Sequence, residues 1–286
     1  MPVDQRDQDR RPAAAGAAPR KRLIYRHSVP VRVTHWINFV VITIMLMSGL
    51  QIFNAHPALD WGDHSFDQPL VLFQGKMVDG KPVGTTRIFG HEFDTTGWFG
   101  VSYVDGQPAA RAFPPWATIP SHRWLAMGRR WHFFFAWLFV LNGFAYLLYS
   151  LLSRHFWRDL VPSWRGLKHI GGDIVDHLKF HFPANERGRY NVLQRLTYLF
   201  VIGLGLLIVA TGLTMSPTLD VAMPWLLHIF GGRQTARTLH FVAAFAFLGF
   251  FIVHIALVLA SGVFNNLRAM ITGHFVARTA GDRDEP

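Results

Sequence analysis

From Thr238 to Leu267 the chain carries no Asp, Glu, Lys or Arg. A run of roughly 20 such residues is enough to cross a hydrocarbon layer about 30 Å thick. Three further charge-free runs, Val33 to Leu59, Trp131 to Ser153 and Leu196 to Leu219, also reach that length. A bilayer core offers no water to unpaired backbone groups, so each run must satisfy its N–H and C=O groups internally, as a helix does. The sequence therefore predicts an all-α fold, an integral membrane four-helix bundle with spans at about 33–55, 131–153, 194–216 and 238–262. A long outer loop, 60–130, would join the first two spans, and an inner loop, 154–190, the second and third.

Composition agrees with lipid as solvent: 50% of residues are hydrophobic, 14% aromatic and only 16% charged. Cysteine is absent, which excludes disulfides, thiolate-bound zinc, iron–sulfur clusters and haem attached through a CxxCH motif. The formal net charge of +10 would suit a polyanion. Its cations cluster beside the apolar runs, however, which speaks for membrane topology and against nucleic acid.

Residues 1–22 are rich in Ala, Arg and Pro without apolar periodicity and are expected to be a disordered cytoplasmic tail, with a second tail at 277–286 and one membrane domain, 23–276, between them. The Arg10-Arg11 pair has no apolar segment after it, so a twin-arginine export signal is not expected. Arg20, Lys21, Arg22, Arg26 and Arg32 precede the first span, and Arg154, Arg158, Arg165, Lys168, Lys179, Arg187 and Arg189 lie in the inner loop. With Arg268 and Arg278 after the last span, they place both termini on the cytoplasmic side. The outer loop holds cations too, but it is longer than the loops on which that rule operates. Its Asp79-Gly80, Asp105-Gly106 and Pro114-Pro115 steps, set among Phe93, Trp98, Phe99, Tyr103 and Trp116, suggest a folded cap with a short hairpin. In the inner loop, Leu167, Ile170, Ile174 and Leu178 are spaced for an amphipathic surface helix over Trp164 to Phe180.

Two histidines, His240 and His254, stand fourteen residues apart in the last apolar run. That is close to four helical turns, so both imidazoles leave one face, about 21 Å apart. Titratable groups at membrane depth are costly and point to function. His132 opens the second span at the outer face and His35 opens the first at the inner face. Depth thus sorts the four into an outer pair, His132 with His240, and an inner pair, His35 with His254. A lone intramembrane histidine is more simply a hydrogen-bonded packing residue. Four that match in depth and phase, without cysteine, carboxylate or third ligand, fit two six-coordinate b haems inside a bundle. Zinc would lack ligands in such a site. Gly143, Gly203, Gly205 and Gly212 could admit a porphyrin edge or a neighbouring helix, and Arg32, Arg129 and Arg130 could face haem propionates.

The motifs Thr34-His35-Trp36, Arg130-Trp131-His132, the His240/His254 spacing and the stretch Gly188 to Gln194, GRYNVLQ, together resemble the bacterial cytochrome b561 superfamily, in particular dihaem cytochrome b subunits of formate dehydrogenases, NiFe hydrogenases and related molybdenum oxidoreductases. The resemblance covers about residues 24–276 and is weakest in the outer loop. It implies two b haems, His132/His240 outside and His35/His254 inside. It also implies a menaquinone or ubiquinone site at Asn191 and Gln194 beside the inner haem; simple helix capping would explain Asn191 as well. It implies, too, a periplasmic redox partner, a molybdopterin protein or a hydrogenase. The stretch Asn265 to Phe275 is most similar to cytochromes that accompany sulfite-oxidase-like molybdopterin proteins. The expected function is transfer of electrons between a cytoplasmic-side quinone and that partner, as a subunit of an oxidoreductase complex. A rival within the superfamily is a self-sufficient superoxide:quinone oxidoreductase, whose anionic oxidant a positive outer loop would attract. A haem-free anchor is the third possibility, and it would purify colourless.

Overall fold

The computed structural model describes residues 21–65, 68–168, 171–172, 175 and 192–278. Four helices in it are long and apolar enough to cross a membrane: α1, Val29–Phe53; α2, Leu125–Leu152; α3, Val192–Thr214; and α4, Arg233–Ala260. Pro30 in the first turn of α1 needs no backbone donor there. α1, α2 and α4 begin several residues before their charge-free runs and take in Arg32, Arg129, Arg130 and Arg237. Long arginine stems lie along a helix while the guanidinium reaches the interface, so counting charge-free residues undershoots helix length.

α1 packs along α2, and α3 along α4. The two pairs meet through side chains, with Ile42 and Phe139 reaching Leu204, Ile208, Ala243 and Phe247. At most 22% of residues in any span's apolar window are buried. The apolar surface therefore faces outward, as a chain dissolved in lipid requires. The turn of chain from α3 to α4 runs through two short helices, Pro217–Ala222 and Pro224–Phe230.

The all-α expectation does not extend to the segment between α1 and α2. Strands β2, Ala58–Leu59, β3, Val71–Val78, β4, Lys81–Ile88, and β5, His91–Asp94, form an antiparallel sheet in that order, and β6, Gly100–Val104, with β7, Gln107–Arg111, forms a separate hairpin. Asp79-Gly80 (φ 51° and 74°) and Asp105-Gly106 (φ 51° and 77°) are two-residue turns with both residues left-handed, the backbone twist that tight hairpins demand. Phe89-Gly90 makes a third such turn, between β4 and β5. Windows tuned to long apolar runs cannot register these strands, so the sequence marks the folded cap by its turn signals and not by its two sheets. Gly84 on β4 permits the hairpin to lie backbone against backbone, because a methyl there would collide with the Phe99 carbonyl.

This cap is not a separate body. Phe53 at the end of α1, Leu59, Ala112 and Phe113 share one core with Phe73 and Phe99 of the cap and Phe241 and Phe245 of α4. Polar staples reinforce it. The Asn54 amide exchanges hydrogen bonds with the Phe113 backbone at 2.8 and 3.2 Å. Thr238 donates to the Asp60 carbonyl at 2.6 Å, and Arg237 to the His56 carbonyl.

At the opposite end of the bundle the two chain ends close on each other. β1, Lys21–Tyr25, pairs antiparallel with β8, His274–Arg278. Helix α5, Val263–Thr272, follows α4 and exposes Phe264 and Ile271. Trp36 Nε1 donates to the Met270 carbonyl at 3.1 Å and Arg32 to the Ile271 carbonyl, tying α1 to α5. One helical turn, Trp164–Leu167, stands where the amphipathic inner helix was expected. Ile170, Ile174 and Leu178 of that expectation lie outside the described residues.

Candidate functional site

The structure brings the four span histidines together in two pairs. At the cap end, His132 of α2 and His240 of α4 have ring centres 6.1 Å apart. At the terminal end, His35 of α1 and His254 of α4 are 6.2 Å apart. Both separations match a metal held between two imidazoles: two metal–nitrogen bonds of about 2.0 Å each, plus the reach from nitrogen to ring centre on either side. Among the described residues no cluster of three or more metal-binding side chains exists. A metal in either gap would need its remaining positions filled by another group, as a porphyrin fills them.

The cap-end rings are held from behind by one device used twice. His132 Nδ1 lies 3.1 Å from the Met45 carbonyl and 3.2 Å from Ser48 Oγ, both on α1. Ser48 spends its own hydrogen on the Ile44 carbonyl at 2.7 Å, so the imidazole N–H donates. His240 Nδ1 meets Thr211 Oγ1 at 3.1 Å and the Ile208 carbonyl on α3, and Thr211 likewise donates to Leu207 at 2.8 Å. With Nδ1 protonated, each Nε2 keeps its lone pair for a metal. The next residues, Gly49 and Gly212, make room: a Cβ on either would stand 3.3 Å from His132 Cε1 or 3.4 Å from His240 Cε1. A hydroxyl followed by glycine, Ser48-Gly49 on α1 and Thr211-Gly212 on α3, thus seats each ring.

The terminal-end pair sits differently. Phe250, one turn earlier on α4, stacks on His254 with ring centres 5.7 Å apart. Among the described residues His35 Nδ1 is buried without a partner, and so are Arg26 Nε, His27 Nδ1 and Arg32 Nε. Burial, reinforced by Arg26, His35, His155 and Arg32, lowers the His27 pKa to about 4, leaving that ring neutral at physiological pH. Buried donors without acceptors cost stability. A cofactor that carries carboxylates beside its metal would supply acceptors, so the residues here fit haem as well as the ring spacing does.

Sequence reasoning passed over several residues at these sites. Asn142 of α2, buried, donates to Asn38 Oδ1 and to the Thr34 carbonyl, both at 2.9 Å, and locks α2 to the turn of α1 that carries His35. An Asn in each of two apolar runs was the available signal. Gly49 and Ser48 were missed because one small polar step in a span looks like ordinary packing. Of the glycines singled out beforehand, Gly212 lies against a histidine and Gly205 approaches Phe139, while Gly143 and Gly203 border open space. Of the expected propionate partners, Arg129 lies over the Phe133 ring, 5.7 Å from its centre, and Arg130 is exposed.

Of the quinone candidates, Asn191 lies outside the described residues, whereas Gln194 is in the first turn of α3. Its neighbour Arg195 donates to the Val161 carbonyl at 2.8 Å, fixing the start of α3 on the π-helical turn Phe156–Leu160. In that turn His155 and Asp159 pair at 2.8 Å.

Comparison with known proteins gives a consistent picture. Residues 26–273 match the family described as prokaryotic cytochrome b561. The chain is 29% identical over 254 residues to a putative protein-methionine-sulfoxide reductase subunit, YedZ1, of Azospira oryzae, covering 89% of this chain and 99% of the relative. It is 22% identical over 261 residues to a probable Ni/Fe-hydrogenase B-type cytochrome subunit of Rhodobacter capsulatus, covering 89% of this chain and 82% of that one. No solved structure matches the chain.

Proposed function

Because the chain belongs to the prokaryotic cytochrome b561 family, multi-pass membrane haem proteins of electron transfer, we propose that it is a dihaem electron-transfer subunit joining a quinone site at the terminal end to a redox partner docked on the cap. The observation that carries this reading is the pair of facing imidazole couples, 6.1 and 6.2 Å between ring centres, both anchored on α4. His132 and His240 would hold one b haem and His35 and His254 the other. Bound haem iron supplies a one-electron couple at each site.

The chain's own residues do the rest. Ser48 and Thr211 orient the cap-end imidazoles, and Arg26 and Arg32 offer positive donors at the terminal end. The terminal end would face the cytoplasm, in line with the cationic segments on that side, and the cap the periplasm of a bacterial inner membrane. Gln194, with Asn191, would hydrogen-bond the quinone carbonyls. Both relatives above are named as subunits, which supports a partner oxidoreductase on the cap. The higher identity to the sulfoxide-reductase relative, 29% against 22%, favours a reductase partner over a hydrogenase, and the resemblance of the stretch Asn265 to Phe275 favours one that bears molybdopterin.

The test is spectroscopic. A pyridine haemochrome assay on purified protein should return two b haems per chain, and His254→Ala should lose the terminal-end haem while keeping the other. Retention of both in that variant would overturn the ligand assignment, and a colourless, folded wild-type protein would overturn the function. Gln194→Leu should slow reduction or oxidation by a quinone analogue with haem content unchanged; an unaltered rate would remove Gln194 from the site.

A further inference from the structure

β7 ends on Arg111, whose side chain is 2% exposed at the seam between cap and bundle. Its Nη1 donates to the Ser121 carbonyl at 2.7 Å, and its Nη2 to Thr118 Oγ1 at 2.9 Å and Gln51 Oε1 at 3.2 Å, while Nε has no partner. Every one of these acceptors is neutral. A guanidinium keeps its charge at neutral pH, and a charge this deep ordinarily comes with a counter-charge. Among the described residues the neighbouring charge is Arg123, of the same sign. Asp60, the buried carboxylate at this end, influences Arg237 and His56 instead.

Arg111 is also close to the histidine pair along the helices. Gln51 lies three residues after Ser48, which receives the His132 N–H. The Gln51 side chain packs on Gly128, one turn before His132. Arg111 therefore bonds the turn of α1 immediately capward of Ser48 and reaches the matching turn of α2 only through Gln51.

We infer that Arg111 sets the redox potential of the cap-end centre, its buried charge, held among the described residues by neutral acceptors alone, favouring the reduced metal between His132 and His240. The inference rests on the haem reading above. Oxidised iron carries one positive charge more than reduced iron, and a fixed cation nearby in a medium of low dielectric raises the cost of that extra charge. The cap thereby acts on the electron carrier beneath it as well as on whatever docks above. Arg111 is in this sense a positioning residue for charge, touching neither ligand nor metal.

Redox titration of the purified full chain, followed in the haem absorption bands, tests this with three variants. Arg111→Gln should lower the reduced-to-oxidised ratio of the cap-end haem about tenfold at a fixed potential, a shift of about 59 mV for a one-electron couple, and leave the terminal-end haem in place. Arg111→Lys, which keeps the charge and loses most of the hydrogen bonds, should retain most of the wild-type value. Gln51→Glu, which neutralises the guanidinium without removing it, should shift the potential in the same direction as Arg111→Gln and covers the case in which that variant does not fold. Unshifted potentials in Arg111→Gln and Gln51→Glu would overturn the inference. Equal shifts in the Gln and Lys variants would do the same, by assigning the effect to hydrogen bonds. Wild-type protein that titrates without two haem components would instead sink the underlying dihaem reading.

Discussion

At the cap end, His132 and His240 each lean on a hydroxyl and a glycine of the neighbouring helix, with both Nδ1 atoms hydrogen-bonded. At the terminal end, His35 and His254 have almost the same ring spacing, yet among the described residues His35 Nδ1 and three further buried nitrogens, of Arg26, His27 and Arg32, have no partner. The contrast shows that spacing alone does not describe a ligand pair. The cap-end rings are oriented by the polypeptide itself, and the terminal-end surroundings would be completed by what binds. A preoriented site suits a centre that only passes electrons. An incomplete, cationic one would suit, on the reading proposed above, an end at which a cofactor's carboxylates and a quinone meet the chain.

The largest effect should come from removing ligands. His240→Ala should cost the cap-end haem and His35→Ala the terminal-end haem, each leaving its counterpart visible in the reduced-minus-oxidised spectrum. Loss of both haems from either variant would mean that the two sites are not independent and would break the comparison. Next, Gly49→Leu should drive a side chain into His132, at a cost of about 1–3 kcal/mol for overpacking, and deplete the cap-end haem selectively. Equal depletion of the two haems would show that the glycine step seats the whole bundle and not one ring.

Thr211→Val removes one acceptor behind His240 and leaves the Ile208 carbonyl. Loss of a group that orients a metal ligand typically costs about 10–100-fold in affinity, so haem retention during dilution should fall toward the lower figure. No change would leave the carbonyl alone responsible for the tautomer. The smallest effect is expected at Asp159. Burial raises its carboxyl pKa, but hydrogen bonds from Arg158 and His155 outweigh that and hold it below the usual range. A depressed carboxyl stabilises the fold above its unfolded pKa and loses that contribution as pH falls through its folded value. In this solvent-screened turn Asp159→Asn should therefore lower stability at pH 7 by under about 1 kcal/mol, with the difference from wild type vanishing in acid. Thermal unfolding at pH 7 and in acid checks this, and a difference that grows on acidification would contradict it.

Much of the membrane part was legible beforehand. Long charge-free runs leave a chain few choices in lipid, and the helical period alone puts His240 and His254 on one face of α4. The cap was the opposite case. β3 to β7 are short, carry mixed residues and announce themselves mainly through Asp79-Gly80 and Asp105-Gly106, so a hairpin could be expected but not two small sheets whose core includes Phe241 and Phe245 of α4. Arg111 illustrates the same limit. In the sequence it is one cation among several in a long loop, and nothing local separates a buried guanidinium from a solvated one.

What the sequence determined by itself is whatever depends on the run of residues along one segment: four apolar helices, their approximate limits, and the depth of each histidine within them. Only the tertiary structure decided which surfaces face each other, and so placed Ser48-Gly49 behind His132, Thr211-Gly212 behind His240, and Arg111 over the turn that leads to them. The reason is physical. Hydropathy and helical period act within a segment and leave a regular trace in the order of residues, whereas seating a ring or burying a charge depends on the few ångströms between segments far apart in the chain, and leaves no such trace.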